Sequence, residues 1–286
     1  MILLDGKSLS SEINKELKNR MNRLIREGIR PGLGIIIIGN NRESLKYIDS
    51  KKKVCNELGI YFELIHLKEN EEEKNIILQI NKLNVNDKIS GIIVQLPLPY
   101  NLNEKRILNM ISADKDVDGF HIMNAGKLFL NRDIIFTPCT PLGCIKLLEH
   151  YNIDVKGMRA TVIGGSNIVG LPLCMMLIRM NATVTLCHKH TIDLKEHTIQ
   201  SDIIFCWCGV PGIIKKDMIK KGVIIIDIGI NFVNGKLIGD VDFNNVKEKC
   251  SYITPVPGGV GPMTISMLMK QTIESSERLN KLSFDI

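Results

Sequence analysis

The stretch Ala160-Thr161-Val162-Ile163-Gly164-Gly165-Ser166-Asn167-Ile168-Val169-Gly170-Leu171-Pro172 decides how the chain is read. Its first four residues suit a buried strand, its glycines a tight turn, and its last residues the start of a helix. A glycine-rich turn between strand and helix aims backbone N–H groups and the positive helix end at an anion such as a pyrophosphate. The spacing departs from G-x-G-x-x-G: Ser166 takes the second glycine place, and the last glycine comes one residue late. By itself the stretch therefore supports two readings, a dinucleotide turn and a plain tight βα turn.

Outward from this turn, short apolar runs alternate with amphipathic stretches, the pattern of βαβ units with parallel sheets. Strands are predicted at Ala160–Ile163, Ala182–Cys187, Ile203–Cys206, Val223–Asp227 and Tyr252–Thr254. The Gly/Pro-rich segment Pro255–Pro262 follows, then a last helix from about Met263. Upstream, strands are predicted at Gly34–Ile38, Tyr61–His66 and Gly91–Gln95, with helices at Ser10–Glu27, Glu43–Leu58 and Glu72–Leu83. A break falls at Thr137-Pro138-Cys139-Thr140-Pro141. Thr140 is expected to cap the next helix, with Pro141 at its first position, where a missing N–H costs nothing. The fold class is thus α/β, with two α/β domains, residues 1–139 and 140–263. The second is Rossmann-like, a doubly wound parallel sheet, and a C-terminal helix over 264–286 completes the first.

Composition narrows the function classes. Hydrophobic residues make up 44% and charged residues 24% of the 286, as in a globular protein, and that length suits two domains. No apolar run nears the roughly 20 residues of a membrane helix. Met1–Asp5 lacks the basic segment and apolar core of a signal peptide, so a cytoplasmic protein is expected, without membrane partners. The net charge of +6 comes from lysines mixed with acids, as in Lys68–Lys74, which makes a solvated face and not a nucleic-acid stripe. The eight cysteines read as small buried residues in a reducing compartment. No metal is expected. Cys206-Trp207-Cys208 lies in an apparent buried strand without a second ligand pair, and His188, His190 and His197 lack a carboxylate or cysteine to complete a set.

The end of the second strand after the glycine turn bears on the cofactor. NAD sites place an acid there to hold the ribose hydroxyl. Here the strand ends in Cys187-His188-Lys189-His190, with no acid. A cation at Lys189 suits a ribose 2′-phosphate and hence NADP; an ordinary loop lysine is the other reading.

A second arrangement lies on the helix near residue 50. Ser44, Ile48, Lys51 and Cys55 share a face, as do Tyr47, Lys51, Val54 and Leu58, whereas Lys52 and Lys53 turn to solvent. A lysine central to an apolar stripe loses hydration, which lowers its pKa into the range of a general acid or base. A buried stem with a solvated ammonium fits the same spacing. Strand Gly91–Gln95 delivers Gln95 to the carboxyl end of its sheet, where ligands of open α/β sheets collect. Asp118, in Asp116-Val117-Asp118-Gly119, is placed to grip the N–H donors of a heterocycle, or is a turn aspartate before glycine. The glycine turn alone also fits a two-domain dehydrogenase of small acids. A nucleotide sensor or nucleic-acid binder would need a clustered basic surface.

Together the motifs resemble one family over nearly the whole chain. Tyr47-x3-Lys51, Val94-Gln95-Leu96-Pro97-Leu98-Pro99, Lys115–Phe120, Gly164-x-Ser166-x-Ile168-Val169-Gly170-x-Pro172 and Thr254–Thr264 occur in the order of the bifunctional methylenetetrahydrofolate dehydrogenase/methenyltetrahydrofolate cyclohydrolases. The resemblance implies NADP-dependent oxidation of methylenetetrahydrofolate and hydrolysis of the methenyl product to formyltetrahydrofolate. It implies that Tyr47 stacks on the folate, Lys51 is the acid–base group, Gln95 assists it and Asp118 holds the pterin. Val94 and Leu96 flank Gln95 in the substrate site, and Pro257, Gly258, Gly259, Val260 and Gly261 line a cleft that the two domains flank. Gly164, Gly165, Ser166 and Ile230 meet the cofactor, and the family commonly dimerises through the nucleotide domain. Some members carry an arginine at the place of Gly165 for the 2′-phosphate, so NADP preference here falls to Lys189 or His190. Ala113 also replaces a proline often found before Lys115–Asp118. Since no phosphate-binding-loop domain follows residue 286, formate-activating ligase activity is not expected.

Overall fold

In the computed structural model, residues 1–281 are described, so the part of the expected C-terminal helix at 282–286 lies outside the described residues. In chain order the elements are β1 (Ile2–Leu3), α1 (Gly6–Arg26), β2 (Gly32–Ile38), α2 (Arg42–Leu58), β3 (Tyr61–Leu67), α3 (Glu73–Asn84), β4 (Gly91–Val94), α4 (Glu104–Leu108), α5 (Ile122–Leu130) and α6 (Cys139–His150). They continue with β5 (Arg159–Ile163), α7 (Gly170–Arg179), β6 (Thr183–Cys187), α8 (Leu194–Thr198), β7 (Ile203–Cys206), β8 (Val223–Asp227), β9 (Asn231–Val233), β10 (Lys236–Ile238), α9 (Phe243–Val246), β11 (Cys250–Ile253) and α10 (Val260–Leu279). They form two compact units, one of Met1–Ser11 with Thr140–Thr264, the other of Glu12–Cys139 with the chain from Ile265.

The second of these is built on a three-stranded sheet in the order β3-β2-β4, parallel throughout. Its central strand β2, Gly-Leu-Gly-Ile-Ile-Ile-Ile, is buried at every position, which is why it reads as a continuous apolar run with no alternation. Ile36, Ile38, Ile76, Ile80, Leu83, Ile92 and Val94 form its core, and each such side chain contributes about 1.5–3 kcal/mol on burial. α2 starts at an Asn41 cap that accepts from Glu43 N and Ser44 N and ends at Gly59, whose φ of 91° suits a residue without Cβ. β4 stops at Val94, one residue short of the predicted Gln95. The Gln95 N–H still reaches Ile36 O at 2.8 Å, and the following Leu96–Pro97 peptide is cis.

The other unit carries a six-stranded parallel sheet in the order β1-β11-β8-β7-β5-β6. Successive strands run from β5 to one side and then, from β7 onward, to the other, so the topological switch point lies between β5 and β7. β1 was not predicted. Its two residues pair with Tyr252 and Ile253, too short a run for periodicity to register, and residues 1–11 therefore group with this unit and not with the expected 1–139. The β9–β10 hairpin was also missed, although Asn234-Gly235, at φ 51° and 75°, is the favoured two-residue hairpin turn. α6 begins at Cys139, so Thr140 lies inside its first turn and does not cap it; Pro141 keeps a place where its missing N–H is harmless. α10 likewise starts at Val260, earlier than Met263.

Candidate active site

In the three-stranded unit, α2 turns the stripe Ser44, Ile48, Cys55 and Leu58 into the core. Lys51 lies in the same stripe, only partly exposed, while Lys52 and Lys53 are exposed. Its Nζ donates to Gln95 Oε1 at 2.9 Å, and Gln95 Nε2 in turn donates to Leu96 O at 2.8 Å. The glutamine is thus clamped by the loop that follows β4, and its oxygen is held toward the lysine. Burial lowers the Lys51 pKa; the negative charge of Asp118 opposes that shift without cancelling it. Asp118 responds in the opposite sense. Burial raises its pKa, with the Lys51 charge and a hydrogen bond from Cys139 pulling it down. The Tyr47 phenol, one turn earlier on α2, is pushed up to about 12 by burial and by the Glu43 carboxylate, so it stays a neutral hydroxyl. Lys51, Gln95 and Asp118 are brought together as expected, with Tyr47, Val94 and Leu96 on the same elements. The Pro257–Gly261 segment belongs to the six-stranded unit, with a cis Val256–Pro257 peptide and Gly258 at φ 109°.

The loop that carries Asp118 is organised by the neighbouring acid. Asp116 is buried and accepts from Phe120 N at 3.2 Å, His121 N at 2.8 Å and Asn124 Nδ2 at 2.8 Å. Burial outweighs these bonds and raises its pKa to about 7. Lys115 Nζ donates to Leu83 O and Asn86 O and so anchors the loop to the end of α3. Two further residues escaped the sequence reading. Cys139, taken there as a small buried residue, has its thiol against Asp118 and Lys51. Gln271 of α10 donates to Val117 O at 2.7 Å, Thr137 O at 2.9 Å and Cys139 Sγ at 3.3 Å, and accepts from Thr137 N at 2.9 Å. A polar residue on a helical apolar face more than a hundred positions away gives no local signal of this.

In the six-stranded unit, a cavity of about 850 Å³ opens at the carboxyl ends of β5, β6 and β7. Gly164, Gly165, Ser166, Lys189 and Ile230, the five expected cofactor residues, all line it, together with His188, His190 and Trp207. Gly164 sits at φ +116°, and a Cβ there would meet Trp207 O at 1.8 Å; one at Gly170 would meet Gly164 O at 1.7 Å. These two glycines make the close turn. Gly165 differs, since a Cβ there would touch nothing nearer than 3.7 Å, which leaves its face open to the cavity. Ser166 Oγ accepts from Val169 N and Gly170 N and closes the turn at the helix start. The open cavity, the glycine turn and the basic His188-Lys189-His190 loop fit a phosphorylated dinucleotide.

A family model for the tetrahydrofolate dehydrogenase/cyclohydrolase catalytic domain matches residues 4–118, and one for the NAD(P)-binding domain of the same family matches residues 138–280. The chain belongs to the tetrahydrofolate dehydrogenase/cyclohydrolase family. It is 47% identical over 278 residues to the bifunctional protein FolD of Aquifex aeolicus, covering 97% of this chain and 96% of that one. A crystal structure of the bifunctional enzyme FolD from Campylobacter jejuni superposes with a TM-score of 0.95 at 48% identity over 98% of this chain and 99% of that one. The Trypanosoma brucei enzyme, complexed with NADP cofactor and inhibitor, superposes equally well, at 0.95 with 34% identity and the same coverage of both chains. The two-domain α/β architecture with a Rossmann-like second sheet is therefore a property of the family.

Proposed function

We propose that the lysine held against Gln95 and Asp118 is the acid–base group of a folate hydrolysis that this chain couples to an oxidation. The enzyme oxidises 5,10-methylenetetrahydrofolate to the 5,10-methenyl compound with NADP and hydrolyses that product to 10-formyltetrahydrofolate. The observation that carries the assignment is the 2.9 Å contact of Lys51 Nζ with Gln95 Oε1 beside the Asp118 carboxylate.

Bound NADP would supply the hydride acceptor for the methylene carbon; the chain's part in that step is mainly to fix geometry. The hydrolysis needs proton transfers. With its pKa lowered, Lys51 reaches the neutral amine at a lower pH than a free lysine does. The amine takes a proton as water adds to the methenyl carbon, and the resulting ammonium returns one to the ring nitrogen as its bond to that carbon breaks. The second proton of the water leaves to solvent, which balances the step. Gln95 orients the amine, Asp118 grips the pterin donors, and Tyr47 offers its ring as a stacking face. The glycine turn would hold the pyrophosphate, and Lys189 with His190 would hold the 2′-phosphate in place of a side chain at Gly165.

The enzyme works as a homodimer through the six-stranded unit, a reading supported by the exposed Leu171 and Ile178 on α7 and Val233 on the hairpin. It works in the cytoplasm, in keeping with eight free thiols. Among the described residues no helix is long and apolar enough to cross a membrane. The test is an absorbance assay of the purified chain. NADP should be reduced only when methylenetetrahydrofolate is supplied, and the methenyl absorbance should then decay. A lack of reduction with both NADP and NAD overturns the oxidation, and a methenyl product that persists unchanged overturns the hydrolysis.

A further inference from the structure

Cys206 and Cys208 were set aside on sequence for want of further ligands, and the fold supplies one. Cys206 ends β7, and Cys208 follows two positions on, in the bend after the strand. Asp240, fully buried after the β9–β10 hairpin, reaches the same point. One sulfur from each cysteine and one carboxylate oxygen all lie within 4.8 Å of one another. Two sulfurs bound to one zinc ion at about 2.3 Å each are at most about 4.6 Å apart, so closing this set round an ion requires only small side-chain movement.

The carboxylate is held in place before any ion arrives. Asp240 Oδ2 accepts from Cys208 N at 2.7 Å and Gly209 N at 3.0 Å, with Cys206 Sγ at 4.0 Å; Oδ1 accepts from Asn231 Nδ2 at 2.8 Å. Fixed outer hydrogen bonds of this kind orient the ligands of metal sites. Cys206 is buried, whereas Cys208 is partly exposed and borders the cavity at the switch point, which provides the entry path and an open fourth position. Two thiolates and one carboxylate select soft or borderline cations over magnesium or calcium.

We propose that Cys206, Cys208 and Asp240 form a site for one thiophilic divalent cation of the zinc class, and that this ion and the dinucleotide compete for the cavity. The competition rests on the reading of that cavity as the cofactor site; the ion site does not. Each thiol releases its proton to solvent on ligation. Trp207, the sole tryptophan, stands between the two cysteines and lines the same cavity, so its emission reports both ligands.

The experiment titrates the full-length, reduced, metal-free chain with cadmium alone as the probe. A sulfur-to-cadmium charge-transfer band should saturate at one ion per chain and quench or shift Trp207. Cys208→Ser should remove at least nine-tenths of the band while circular dichroism stays unchanged, and Cys206→Ser should do the same. The double variant His188→Asn/His190→Asn should keep the band, because the imidazoles of that loop are the alternative ligands. Saturating NADP should weaken cadmium binding about tenfold or more. Absence of the band, survival of the band in both serine variants, or its loss in the histidine variant overturns the ion site. A cysteine-dependent band indifferent to NADP supports the ion site and overturns the competition. If NADPH fluorescence then also shows no nucleotide bound, the cofactor reading of the cavity fails separately.

Discussion

Lys51 and Lys189 carry the same side chain in opposite surroundings. Lys51 stands in a buried helical stripe, bonded to Gln95 and facing Asp118, and loses proton affinity to burial. Lys189 stands in an exposed loop at the rim of a cavity, among His188 and His190. Desolvation lowers the proton affinity of the first, whereas the second is a flexible cationic side chain at the mouth of a cavity. The two regions around them divide in the same way. The Lys51 cluster is made of side chains on the core of the three-stranded unit, and the switch-point cavity is lined by the glycine turn together with the His188–Lys189–His190 loop.

The comparison breaks most directly at Lys51. Lys51→Met is expected to lower methenyltetrahydrofolate hydrolysis by roughly 10²–10⁴-fold, the usual weight of a positioned acid–base group, while NADP reduction falls far less. Lys51→Arg should be nearly as damaging, since a guanidinium stays protonated across the working range. Hydrolysis at the parental rate in either variant would sink the assignment. The sign of the pH effect follows from the lowered pKa. The neutral amine grows as pH rises through a value below that of a free lysine, so the base-limited step should rise and level off earlier than an unperturbed amine would allow.

A smaller loss tests the backbone half. Gly164→Ala puts a Cβ 1.8 Å from Trp207 O at a positive φ, a strain of about 1–3 kcal/mol or more. Dehydrogenase kcat/KM for NADP should drop about ten- to a hundredfold while hydrolysis of added methenyltetrahydrofolate changes little. Equal losses in both activities would show that the two regions are not separable. The smallest effect is expected from Lys189→Ala, a rise of about five- to tenfold in the NADP KM with the NAD KM unmoved, shrinking as salt screens the exposed charge. Equal shifts for both cofactors would place the 2′-phosphate elsewhere.

Much of this was legible because the strongest signals are local. β2 announced itself as an unbroken apolar run, α2 as a periodic stripe with one charge in it, and β5 to α7 as a strand, glycines and a helix. What escaped depends on distance along the chain. Nothing near Ile2 says that it pairs with Tyr252. Gln271 meets Thr137 and Cys139, and Asp240 meets Cys206 and Cys208, only after the sheets have formed. The Asn234-Gly235 turn is different: its signal is local, but the strands that it joins, Asn231–Val233 and Lys236–Ile238, are too short for alternation to show.

The pairing of β1 with β11 also constrains how the protein is made. Among the described residues β1 has one sheet neighbour, β11, some 250 positions later in the chain, and the other unit waits similarly for the chain from Ile265. Neither unit is a contiguous segment: the six-stranded one needs the chain through Thr264, and the other needs the chain from Ile265. A truncation meant to isolate one domain would remove part of it and leave the raw edge of β11 open to aggregation.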